Sequence, residues 1–185
     1  MAVPTVAPTL LALDLLKKST FASDQVTGFR YVLEDETFED REKVQEEIFQ
    51  QWRQHPDTMA KYIGVVSSLD TPGSGKQILK LINHPDFNPA QSSHGRAVSG
   101  TLSQTRHFSL ATDEGLEVVT EVFTKIGKVN QMAVYSLLRL FDHLDRFEGE
   151  EKARLVKALQ KMQDSIDPKK EESLYNQLNI ILKKV

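Results

Sequence analysis

Gly73-Ser74-Gly75-Lys76 is the first stretch of this 185-residue chain whose residue types and spacing could do chemistry. Glycines ahead of a lysine let backbone N–H groups cradle a phosphate, and the lysine then reaches its outer oxygens. That chemistry also needs a glycine five places before Gly75, where Asp70 stands, and a hydroxyl after Lys76 to hold magnesium, where Gln77 follows. No strand pattern leads into the stretch. Residues 72–75 therefore read as a helix–helix turn. The five histidines, His55, His84, His94, His107 and His143, contain no pair at i, i+4 and no His-Glu-x-x-His. A helix-borne zinc site needs two imidazoles one turn apart with a third ligand nearby. His84 and His94 fall in one long connection and could meet in space, but a lone loop histidine is ordinarily solvated or capping. The chain has no cysteine, which removes thiolate catalysis, disulfides and Cys-type zinc sites together. The carboxylate pairs Glu46/Glu47 and Glu171/Glu172 sit among lysines and arginines, as on solvated helix faces. No Gly-x-Ser-x-Gly turn exposes a nucleophile. No catalytic, cofactor-binding or metal residue is assigned.

The elements that would position any site are helical throughout. Hydrophobic content of 39% and charged content of 26% are those of a globular domain. The net charge of −3, with both signs interspersed, gives no footprint for a phosphate backbone, so nucleic acid is not expected as a partner. The apolar segment near Thr9–Leu13 has no positive charge before it, is interrupted by Asp14 and lacks a cleavage site, so it reads as a first amphipathic helix and not a signal sequence. No run is long enough to span a bilayer. Direct membrane insertion is not expected, and an intracellular place, cytoplasm or organelle, is.

Prolines 4, 8, 56, 72, 85, 89 and 168 fall between segments with helical apolar spacing. Val44, Ile48 and Trp52 form one stripe, opened by Thr37-Phe38-Glu39-Asp40, which has the look of a capping box. Met59, Tyr62, Val66 and Leu69 form another, and Leu116, Val119, Phe123 and Ile126 a third, closed by Gly127 at a C-cap place. Further stripes run through Val134–Leu144, Leu155–Ile166 and Leu174–Leu182. The expected fold is all-α, an irregular HEAT-like solenoid of about nine or ten paired helices. An N-terminal arm over 1–8 would precede a single helical-repeat domain over 9–185. One long interruption, from His84 to about Asp113, holds only a short helical piece near Arg96–Leu102. A connection of that length is either functional or simply packed over the solenoid.

The order His84-Pro85-Asp86-Phe87, then Arg96, then Gly100, resembles the C-terminal domain of the zinc alanyl aminopeptidase (aminopeptidase N) family. The similarity continues through Phe108, Gly115, Asn130 and the Leu137 helix to Arg146-Phe147-Glu148, where the family commonly shows Arg-Tyr-Asp. Upstream, the Phe49–Lys61 region resembles the family's Trp-containing helix, and the likeness covers roughly Leu10 to Val185. It implies a helical domain closing a chamber over a zinc site that a separate catalytic domain carries. Zinc would then belong to that domain, and this chain would hold no cofactor. Arg96 would face the chamber, where a guanidinium could hold a peptide carboxylate; otherwise it caps a neighbouring helix.

The departures lie where the family's polar residues would face the chamber. Its Asn-Pro-Asn is Gln91-Ser92-Ser93 here, its Phe-His is Phe108-Ser109, and its Ala-Ser-Arg is Val134-Tyr135-Ser136. Its Asp-Gly-x-Gly-Tyr is Thr112-Asp113-Glu114-Gly115-Leu116. The expected function is therefore a non-catalytic scaffold or accessory protein, bound to one or more protein partners in a larger assembly. The alternative is the chamber-closing domain of a zinc aminopeptidase that removes N-terminal residues from peptides, with the remaining domains of that enzyme as its partners.

Overall fold

The structure is a computed structural model that describes residues 8–71, 73–105 and 107–184. Among them are ten α-helices and no strand. The first five are α1 (Pro8–Lys18), α2 (Ala22–Glu34), α3 (Arg41–Trp52), α4 (Pro56–Ser67) and α5 (Ser74–Ile82). The second five are α6 (Ser92–Gln104), α7 (Asp113–Gly127), α8 (Gln131–Leu138), α9 (Gly149–Asp164) and α10 (Glu172–Leu182). A π-helical turn (His107–Ala111) leads into α7, and two 3₁₀ turns (Arg139–Phe141, Leu144–Arg146) follow α8. The N-terminal arm expected over 1–8 lies outside the described residues except for Pro8, which is the first residue of α1.

Each helix buries one stripe, and the stripes fix the layering. Helices α2, α4, α6, α8 and α10 follow one another in one layer, each packed on the next. Helices α5, α7 and α9 do the same in the other layer, while α1 and α3 pair back onto α2 and α4. This is the ARM/HEAT-like arrangement of stacked helical pairs. One continuous core results, since a terminal pair buries its face only against its neighbour. Trp52 anchors α3 as its size suggests: it is buried and meets Phe29 edge-on at 5.5 Å. Phe29 stacks on Tyr62 at 5.5 Å, and Tyr62 lies 5.2 Å from Phe49, so α2, α3 and α4 share a chain of rings.

Three local expectations are corrected. Thr37 does not cap α3; its N–H and hydroxyl both donate to Asp35 Oδ1, at 3.0 and 2.6 Å, closing an Asx turn one step earlier, and α3 starts after Asp40. Those bonds, with one from the Thr9 hydroxyl, hold the Asp35 carboxyl below the usual range. Gly127 is not a left-handed cap; it is the buried last residue of α7, beside Leu174 of α10 and Val134 of α8. The stretch from His84 to Asp113 is not mainly a loop, because α6 fills it with 13 helical residues.

The reason α6 is hard to see is its composition. Its buried stripe is His94, Gly95, Val98, Ser99 and Leu102, mostly small or polar residues at helical spacing. Smallness is what the position requires. A Cβ on Gly95 would lie 2.8 Å from the Ala133 Cβ and 3.3 Å from Ile126 Cγ2, so α6 sits almost backbone-to-helix against α8 and α7. The largest packing surfaces of α6 are with α4 and α8, joining the two halves of the chain.

Gly95→Val should therefore destabilise the fold by about 1–3 kcal/mol through overpacking. Gly64→Ala in α4, where an added Cβ meets nothing within 4 Å, should stabilise by about 0.5–1 kcal/mol. Urea unfolding monitored by circular dichroism checks both, and equal effects at the two sites would contradict the packing described.

Candidate functional site

Arg96 stands on α6 outside its buried stripe, exposed, with no hydrogen bond or ion pair among the described residues. The alternative in which it caps a neighbouring helix is not what the structure shows, because its guanidinium meets no helix carbonyl. Gly100, one turn along α6 from Arg96, faces open space where a side chain would begin. Two hydroxyls of α6 turn to its own backbone, Thr101 donating to the Ala97 carbonyl at 2.7 Å and Ser103 to the Gly100 carbonyl at 2.7 Å. What remains for a visitor is five guanidinium N–H donors without a protein acceptor, suited to a carboxylate.

The other positions aligned by resemblance do not join it. Ser109 is fully buried in the π-helical turn and donates to the Leu102 carbonyl at 2.8 Å. Val134 is core, and the Tyr135 hydroxyl is paired with the Ser173 hydroxyl at 2.6 Å. Thr112 Oγ1 caps α7 by accepting from the Gly115 N–H at 2.9 Å. The π-helical turn is itself strapped to α9 by Arg154, which donates to the Leu110 carbonyl at 2.6 Å and to Asp113 at 2.7 Å. These residues build structure.

The histidines are likewise separated. The Asp86 N–H donates to His84 Nδ1 at 3.2 Å, and that ring meets Phe49 edge-on at 4.8 Å. His94 is a helical residue of α6, not a loop one; its Nδ1 accepts from the Asn88 N–H at 3.2 Å and its ring lies 5.9 Å from Phe87. Burial lowers its pKa below the ordinary 6.5. His55 ends the turn before α4 and His143 the turn after α8, both exposed. No group of three His, Cys, Asp or Glu residues that could hold a metal is gathered among the described residues. Of the carboxylate pairs, Glu46 accepts from Gln50 and Glu47 faces Lys17 at 3.7 Å, both exposed as expected. Glu171 departs from expectation: it is buried and its Oε2 accepts from the Asp167 N–H at 2.6 Å, closing the turn before α10. Proline 168 in that turn was the available signal for a tight bend needing such a closure.

The Gly73-Ser74-Gly75-Lys76 stretch does begin a helix, as a phosphate loop would, with Gly73 at φ 80° as the residue before α5. The anion there is the chain's own. Glu114, from the first turn of α7, reaches the start of α5 and accepts from the Lys76 N–H at 3.2 Å. Gly75 makes room for it, since a Cβ there would lie 2.4 Å from Glu114 Cγ. Spacing within residues 73–76 could not reveal a partner 38 residues away.

The family model described as a domain of unknown function, DUF3458_C, ARM repeats, matches residues 4–173. No curated protein matches in sequence. Among solved structures, the crystal structure of Legionella pneumophila aminopeptidase A in complex with aspartic acid is similar at a TM-score of 0.77 and 16% identity. The alignment covers 96% of this chain and 21% of that one, so the chain spans about a fifth of the enzyme's length. At that identity the likeness is one of fold. No helix among the described residues is long and apolar enough to cross a membrane.

Gly75→Ala should push the flexible Glu114 side chain off the start of α5 and cost no more than about 1 kcal/mol, the value of a carboxylate at a helix N-terminus. The cost should shrink when Glu114→Ala is already present, a coupling read from a double-mutant cycle of melting curves. His94 gives a pH signature. Its folded-state pKa is lowered, so the unfolded chain takes up more protons as pH falls through about 6.5, and stability is lost on acidification. The drop in Tm between about pH 7.5 and about pH 5 should be smaller in His94→Gln; an unchanged drop would place the titrating group elsewhere.

Proposed function

We propose a function from the premise that the chain belongs to the DUF3458_C family of ARM-repeat domains, the C-terminal helical domain of the aminopeptidase N family: it is a non-catalytic docking module that binds a protein partner within a larger assembly. The observation that carries this is the first helical pair. Terminal pairs of a solenoid need a polar outer face to stay soluble alone. Here α1 and the turn after it expose Leu10 and Leu11 (both 54%), Leu15 (40%) and Phe21 (69%), and α2 exposes Tyr31 (60%). Leu11 and Leu15 lie one turn apart on one stripe, beside Ala12 and Leu16, which are buried against α2. Such apolar exposure at an end of a repeat stack suits a protein partner that continues the stack.

The loss of polar groups at the aligned positions supports the same reading. Ser109, at the place of the family's histidine, has been absorbed into the core, and the arginine of the family's Ala-Ser-Arg is Ser136 here. A second reading, the chamber-closing domain of a zinc aminopeptidase, is favoured by Arg96 alone, because an exposed guanidinium without a protein partner suits a peptide carboxylate. Under that reading the enzyme's zinc belongs to a domain other than this one, and Arg96 contributes to holding the peptide substrate.

Two variants separate these readings. Leu11→Asp/Leu15→Asp alters half-exposed side chains and should cost about 1 kcal/mol per site in folding stability, with circular dichroism confirming that the variant is folded. The native species should be extracted gently, sized, and its companions identified by mass spectrometry. Under the docking reading the wild-type chain travels with constant partners, the leucine variant is released from them, and Arg96→Ala is not. A chain that stays associated in the leucine variant, but whose assembly loses aminopeptidase activity in Arg96→Ala, would establish the enzyme-lid reading instead.

A further inference from the structure

Helices α3 and α5 both lean on α4 but scarcely on each other, and a groove of about 460 Å³ opens between them. Phe49 and Tyr62 contribute rings to its lining, and Tyr62 is only 6% exposed. Its polar lining includes the amides of Gln45, Gln50 and Gln77 beside charged side chains and His84. Gln45 Nε2 donates to the Tyr62 hydroxyl at 3.2 Å and to Gln77 Oε1 at 3.4 Å. That leaves Gln45 Oε1, the Gln77 amide hydrogens and the Tyr62 O–H without a protein partner among the described residues. The set mixes an acceptor with donors, as a peptide group does. An inorganic anion or a purely apolar ligand would leave part of it unused.

The charges at the groove are arranged by side. Glu42 and Glu46, one turn apart on α3, are exposed; Glu42 has no partner among the described residues and Glu46 only the Gln50 amide at 2.6 Å. Lys80 of α5 lines the same groove and is also exposed. A basic side chain is therefore favoured toward α3 and disfavoured toward α5, which gives an occupant a fixed orientation.

We propose that the groove between α3 and α5 is a docking site for an extended peptide segment of a protein partner, its backbone held by Gln45 and Gln77 and a lysine or arginine held by Glu42 and Glu46. This goes beyond the docking reading above and uses a different surface from the Leu11–Leu15 stripe, so loss of one leaves the other intact. Phe49 and Tyr62 receive an apolar side chain of the segment, and the exposed acidic edge makes binding salt-sensitive.

The test uses the whole chain and a fluorescein-labelled peptide of repeating Lys-Leu-Pro, kept extended by its prolines, with a Glu-Leu-Pro peptide beside it. Fluorescence anisotropy should show saturable binding of the lysine peptide, and NMR should show shifts of the Gln45 and Gln77 side-chain amides. Glu42→Lys/Glu46→Lys should weaken that binding about tenfold, and Gln77→Leu should weaken it with the acidic edge intact. Glu150→Lys/Glu151→Lys, the same charge change on exposed α9, should not. Circular dichroism confirms that each variant is folded. No saturation by about 1 mM peptide, equal binding of the two peptides, an equal effect of the α9 variant, or unshifted Gln45 and Gln77 amides would each overturn the proposal.

Discussion

The contact between Gly95 and Ala133 is the constraint on which the two halves of this chain depend. Helix α6 is the member of its layer that touches both α4 and α8 extensively, and it reaches α8 only because Gly95 has no side chain. Larger apolar residues could have buried more area there, at about 25 cal/mol per Å². They would also have pushed the helices apart and opened the layer behind them. Close backbone approach thus takes the place of side-chain volume, and the stack stays continuous from the ring cluster of Phe29, Trp52, Tyr62 and Phe49 to Leu174, Leu178 and Ile181 of α10.

How much could be read from the sequence follows from the same physics. Helices whose buried stripe is made of leucine, isoleucine, valine or phenylalanine were legible, as with Leu116, Val119, Phe123 and Ile126 of α7, all buried. Helix α6 was not, because Gly95 and Ser99 carry no hydrophobic signal although they occupy the buried stripe. Local bonding competed with local pattern at Thr37, whose side chain chose Asp35 over the N-terminus of α3. Glu171 read as surface charge because a carboxylate accepting a backbone N–H in a turn looks no different in sequence from a solvated one. The resemblance of order and spacing, from His84 to the end, supplied what periodicity could not: the family and its helical domain.

For the candidate site the balance is different. Arg96 was reached through resemblance alone, and the structure adds that it is exposed, one turn from Gly100, and without a partner among the described residues. The groove residues Gln45 and Gln77 lie 32 positions apart and carry no motif. They become a pair only when α3 and α5 both pack on α4. Frameworks survive large sequence change because many apolar residues of similar volume fill the same stripe. Sites do not, since a single buried hydroxyl such as that of Ser109 ends the chemistry of the position.

The carboxylate of Glu114 at the start of α5 has a consequence for how the molecule meets small anions. A helix start projects partial positive charge only while its leading N–H groups lack a counterion. Here the counterion is covalently attached, and a tethered group competes at an effective concentration on the order of millimolar even through a flexible connection. Any phosphate or carboxylate arriving from solution must outcompete a rival that never diffuses away. The end of the helix is self-quenched, and one exchange at position 114 separates a mute turn from one that would begin to feel the ionic composition around it.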